Sequence, residues 1–150
     1  MHEHQHQGKI ININQLAISA TTHCLTGCVI GESIGLLIGV SLGWHPLQTA
    51  IVATVLAFIT GFALTLFPAF KQGLSLIQTF KAVWLGELIS IGVMEIVMNV
   101  VDYLIGGMTA NSIIEPIFWI SLGVAIVAGF IAGYPVNYWM LKNNLKQKCH

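Results

Sequence analysis

Four long apolar runs constrain this chain more than anything else in it: roughly Leu16–Leu42, Leu47–Phe70, Ala82–Ile105 and Ile113–Leu141. A helix rising ~1.5 Å per residue needs ~20 apolar residues to cross a ~30 Å hydrocarbon core, and each run exceeds that. The runs predict an all-α polytopic membrane protein, a four-transmembrane-helix up-down bundle. Charge agrees, since only 8% of residues are Asp, Glu, Lys or Arg, against about 25% in soluble domains. A soluble fold with so little charge could not cover its surface.

The lysines set the expected orientation. There is no arginine, and Lys9, Lys71, Lys81, Lys142, Lys146 and Lys148 all fall outside the apolar runs. Four crossings put the N-terminus, the second connection and the C-terminus on one side, and every lysine lies there. The positive-inside rule makes that side the cytoplasm, an N-in/C-in arrangement. The first fifteen residues are polar and the run after them is too long for a signal-peptide core, so the first helix is expected to stay in the mature protein. Net charge is zero, which gives no footprint for nucleic acid; the lipid bilayer is the expected partner.

The organisation reads as a polar His-bearing lead (1–15), one transmembrane domain (16–141) and a short tail (142–150). Gly43-Trp44-His45-Pro46 predicts a tight turn with Trp44 at the membrane interface. The second helix is expected to end near Pro68, with an amphipathic link from Lys71 to Lys81. Glu115-Pro116 suits the first turn of the last helix.

The first apolar run carries two stripes. Gly27, Gly31, Gly35, Gly39 and Gly43 recur every four residues, a small-residue ridge that admits a close backbone. Its partner is either another helix of this chain or a second copy in a homodimer. The other stripe is Cys24, Cys28 and Glu32, with His23 beside it; residues four apart share a helical face. Thiolates and imidazole suit copper(I) or zinc. Helical side chains four apart do not readily reach disulfide geometry, so both thiols are expected to stay free.

The third run adds Glu87, Ser90, Met94, Glu95, Met98, Asn99 and Asp102. Intramembrane acids normally face a partner, a cavity or an ion, and thioethers are soft copper(I) ligands. Helical rise places Cys28 and Met94 both ~18 Å in, with Glu32 and Met98 ~24 Å in. A metal site from His23, Cys24, Cys28, Glu32, Met94, Glu95 and Met98 therefore requires the first and third helices to touch. A further cluster of His23, Cys24 and Tyr134 is expected nearer the cytoplasm. Asp102 and Glu115 are expected to be solvated at the outer interface, and Glu87 to snorkel. Asn137 either satisfies the carbonyl that Pro135 frees near Ile131 or belongs to a site.

The segments HCLTGCVIGE (23–32), ISIGVMEIV (89–97), PIFWISL (116–122) and GYPVNYW (133–139) resemble a bacterial membrane family known as a domain of unknown function. The resemblance covers nearly all of residues 20–141 and implies a small helical inner-membrane protein, with no established activity. It marks Cys24, Cys28, Glu32, Met94, Glu95 and Asn137. Where the family often has an acid soon after Met-Glu, this chain has Met98-Asn99, with Asp102 later.

Three functions follow as expectations. The first is a transition-metal site, copper(I) before zinc, for transport, delivery or sensing, with His2, His4, His6, Cys149 and His150 as flanking donors. The second is a metal-free subunit for assembly. The third, haem or quinone redox work, is the weakest, since only His23 is an intramembrane axial-ligand candidate. No hydrolase arrangement can be placed.

Overall fold

The computed structural model describes residues 12–71, 73 and 75–146. Most of them lie in four helices: α1 (Ile13–Ser41), α2 (Pro46–Lys71), α3 (Leu76–Ile105) and α4 (Pro116–Lys142). No strand occurs among the described residues. All four helices are long and apolar enough to span a bilayer. The protein is thus a multi-pass membrane protein of the helical class, which satisfies its backbone polar groups within each segment, as hydrocarbon requires.

The helix ends follow local chemistry. Asn12 is extended and its side chain accepts from the Asn14 N–H, capping α1. Gly106, at φ 106°, closes α3 in the left-handed conformation and returns its N–H to the Asp102 carbonyl. Glu115 is the extended N-cap of α4, with Pro116 at its first turn, where a missing N–H costs nothing. Ile113 and Ile114 are therefore loop despite their hydrophobicity, and the Trp119 indole holds the loop by donating to the Ile113 carbonyl at 2.9 Å.

Two boundaries differ from expectation. Most of the anticipated Lys71–Lys81 link is helical, because α3 begins at Leu76. Nothing in Leu76–Lys81 breaks a helix, and an exposed lysine near a membrane face can snorkel. At the other end of that link, α2 runs through Pro68 to Lys71. A proline near a helix end frees one carbonyl where water or a neighbour can satisfy it.

In the bundle, α2 lies along α1, α4 along α3, and α4 closes back on α1; α1 also reaches α3. That last contact is the one the site depends on. Leu16 and Ala17 pack with Leu141, so the start of α1 and the end of α4 meet at one end, here the termini end. Leu36, Val40, Met108, Phe118 and Leu122 form an apolar layer near the opposite, turn end. Large aliphatic side chains such as Ile51, Val55, Ile59, Ile96, Val127 and Ile131 are exposed on the outside, which is the surface a bilayer covers.

The glycine ridge of α1 is filled by α2. A Cβ added at Gly27 would lie 2.5 Å from the Gly61 Cα; one at Gly31 would strike the Ala57 backbone, one at Gly35 the Ala53 backbone, and one at Gly39 the Thr49 side chain. The facing row Thr49, Ala53, Ala57, Gly61 is itself small at every fourth residue. Close approach places the Thr60 hydroxyl 2.6 Å from the Gly27 carbonyl. From Gly27 to Gly39 the ridge is thus occupied by another helix of the chain, while Gly43, in the turn after α1, meets nothing within 4 Å.

Candidate functional site

A file of polar and sulfur-bearing side chains runs through the bundle in three tiers. At the termini end, α4 stops at Lys142 and the chain reverses through Asn144, at φ 55°. The N–H groups of Leu145 and Lys146 both bond to the Met140 carbonyl. This returns the stem of Lys146 over Gly86. Lys146 Nζ then reaches Glu87 at 3.1 Å, with both side chains largely buried. It also donates to Asn137 Oδ1 at 2.9 Å and to Ser90 Oγ at 3.4 Å. Ser90 donates to Asn137 Oδ1 at 2.5 Å, and Asn137 Nδ2 donates to Thr21 Oγ1 at 3.0 Å. The network ties α1, α3, α4 and the tail together.

Two expectations are corrected here. Glu87 does not snorkel but is buried in an ion pair. Asn137 is fully buried in this network, and its bonds go to side chains rather than to the carbonyl near Ile131.

The second tier is sulfur. Cys24, Cys28, Met94 and Met98 belong to one buried cluster, closed by Leu25, Ala57, Ile91 and Ala125. Both cysteines are free thiols, as expected. Glycines of α4 make space for the thioethers. A Cβ at Gly129 would lie 2.7 Å from Met98 Sδ, and one at Gly133 would strike the Met94 side chain. Cys28 faces both Cys24 and the Glu95 carboxyl.

The third tier is oxygen. Asn99 Nδ2 donates to Thr54 Oγ1 at 3.2 Å, to the Glu95 carbonyl at 2.8 Å and to Glu95 Oε2 at 3.3 Å. Glu32 is fully buried and within electrostatic reach of Glu95 and Asp102. Ser121 donates to Asp102 Oδ1 at 2.5 Å, a contact for which Gly107 leaves the space. Asp102 is thus buried, not solvated at the interface; the turn of α3 into Gly106–Gly107 carries the loop over it. Beyond it lies the apolar layer of Leu36, Val40, Met108, Phe118 and Leu122.

The structure thus brings Cys24, Cys28, Met94 and Met98 together, with Glu95 beside them and Glu32 in the next tier. It leaves out His23, which is exposed on the outside of α1. One residue of helix rotates a side chain by ~100°, so the neighbour of an inward Cys24 points away. The cluster of His23, Cys24 and Tyr134 is therefore not formed, and Tyr134 instead packs near Leu16 and Leu141. The flanking donors His2, His4, His6, Cys149 and His150 lie outside the described residues. Among the described residues, no group of three or more His, Cys, Asp or Glu side chains is arranged to hold a metal ion.

Thr21, Ser121 and Lys146 are site residues that sequence reasoning missed. Their partners lie 116, 19 and 56 or 9 positions away, so no local spacing announces them.

A family described as "domain of unknown function (DUF4396)" matches residues 14–146, which spans all three tiers. The chain belongs to the DUF4396 family. No significant match is found among curated proteins or among solved structures. For this DUF4396 protein, therefore, the interior chemistry is the guide to function.

Proposed function

We propose that this DUF4396 protein binds a soft transition-metal ion inside the bundle, copper(I) in preference to zinc, for transport, delivery or sensing. The observation that carries the reading is the buried cluster of two free thiols and two thioethers drawn from α1 and α3. Dry cores are normally built from Leu, Ile, Val, Phe and Ala; four sulfurs in one layer are a soft donor set. Zinc favours four tetrahedral His, Cys or carboxylate ligands, and among the described residues no trio of such side chains is arranged for it. Copper(I) is suited to Cys24 and Cys28 with Met94 or Met98, since thioethers count for it as ligands.

The orientation we favour puts the termini end, with its lysines, in the cytoplasm of a bacterial inner membrane. The His-bearing lead and Cys149-His150 would then be cytoplasmic donors. His23 has no part in the interior site, which also leaves the haem reading without an inward axial ligand.

The test is elemental analysis of protein purified from native-like membranes without a His-tag and with the histidine lead removed. Wild type is compared with Cys24→Ser/Cys28→Ser. Near-stoichiometric copper that disappears in the double variant is the expected result. No metal in either protein, after growth with copper and zinc supplied, overturns the proposal. The metal-free assembly subunit then becomes the better account, and the tightly fitted α1–α2 seam is the observation in its favour.

A further inference from the structure

The acids of the third tier do different work from the sulfurs. Glu32 is fully buried, and neither of its carboxyl oxygens has a hydrogen-bond partner. Glu95 keeps Oε1 free and Asp102 keeps Oδ2 free, both from side chains nearly as buried. An acid used only for packing would spend its oxygens on neighbouring donors, as Asp102 spends one on Ser121. Glu32 spends none, and it lies within electrostatic reach of the other two acids.

Among the described residues, no cation is placed to neutralise it. On α1 the only other titratable side chains are His23, exposed toward the termini end, and Cys24 and Cys28 in the sulfur tier. Between Pro46 and Phe70, α2 carries no titratable side chain. On α3, Lys81 and Tyr103 are exposed and Glu87 is paired with Lys146 at the termini end. On α4 the titratable groups are Tyr134, Tyr138 and Lys142, all in its last turns. Apart from Glu32 itself, the groups facing the acid tier are therefore Glu95, Asp102 and the Cys28 thiol beside Glu95. A carboxylate in so dry a place needs a counter-ion or a proton. With no trio among the described residues arranged to coordinate a metal, the proton is the ligand that fits.

We propose that Glu32 is an exchangeable proton-binding site, with Asp102 as its partner toward the turn end. The unpartnered oxygens of Glu32, and Oδ2 of Asp102 beneath the Gly106–Gly107 turn, are the acceptors that a proton, or a water carrying one, must have. This goes beyond the metal reading and does not depend on it.

Infrared difference spectroscopy of the protein in liposomes, stepped from mildly alkaline to mildly acidic buffer, tests the proposal. The expected result is a protonated-carboxyl band that grows on acidification, vanishes in Glu32→Gln, shifts in Glu95→Gln and Asp102→Asn, and persists in Glu115→Gln. A carboxyl band indifferent to pH, or a pH-dependent band that survives Glu32→Gln, overturns it. Should Glu32→Gln fail to fold, carbodiimide labelling of wild type with peptide mapping decides. An adduct at Glu32 that declines as pH rises supports exchange, and a pH-independent yield refutes it. Recording the same spectra on Cys24→Ser/Cys28→Ser separates failure of this proposal from failure of the metal site.

Discussion

The α1–α2 seam and the interior faced by α3 and α4 are built from opposite materials. Along the seam, Gly27, Gly31, Gly35 and Gly39 meet Gly61, Ala57, Ala53 and Thr49, so backbone lies against backbone. Attraction there comes from dispersion between closely fitted small residues, because lipid tails offer no hydrophobic drive between helices. Along the interior, Glu87, Ser90, Glu95, Asp102, Ser121 and Asn137 are buried and much of the contact is polar. The seam has no adjustable part. The interior keeps free thiols and unpaired oxygens, which a purely structural core avoids. Rigidity sits on one side of α1 and chemistry on the other.

Substitutions should break this contrast in a graded way. Gly31→Leu is expected to cost the most, ~4 kcal/mol or more, because even its Cβ meets the Ala57 backbone, which cannot retreat without parting the helices. Thermal unfolding in detergent would register this as loss of the folded species. Lys146→Met should follow at ~3 kcal/mol, by leaving Glu87 buried without its cation. Adding Glu87→Met to it should recover most of that loss, and failure to recover would show that the ion pair is not the source.

Smaller effects sharpen the comparison. Ser121→Ala removes the donor to Asp102 and should cost ~1–2 kcal/mol. The same unfolding assay reads it, and it should also perturb the carboxyl infrared band. Thr60→Val deletes the bond to the Gly27 carbonyl and should cost ~0.6 kcal/mol, since single interhelical hydrogen bonds are modest in membranes. Gly92→Ala and Gly123→Ala meet open space and should be neutral, or stabilising by up to ~1 kcal/mol through helix propensity. A large loss at either would mean that glycine matters in this protein for reasons other than seam contact.

Much of the fold was legible before any coordinate. Length and hydropathy alone require membrane helices where four runs exceed the bilayer thickness, and the Gly-Trp-His-Pro turn and Glu115-Pro116 start lie where turn chemistry puts them. The Cys24–Cys28–Glu32 stripe was legible for the same reason: residues four apart share a face whatever surrounds the helix. His23 was misjudged because adjacency in sequence was given weight that helical rotation cancels.

Periodicity along one helix says which residues share a face; it does not say which neighbour that face meets. The sequence by itself determined the class, the four helices, the small-residue ridge and the inward stripe, all of them short-range consequences of hydrophobicity and the 3.6-residue turn. Only the tertiary structure decided that the ridge belongs to α2, that α1 touches α3, and that Lys146 turns back onto Glu87. It alone also showed that Glu32 stands among acids without a donor. Those facts depend on how helices rotate and pair, and packing between segments distant in sequence settles both.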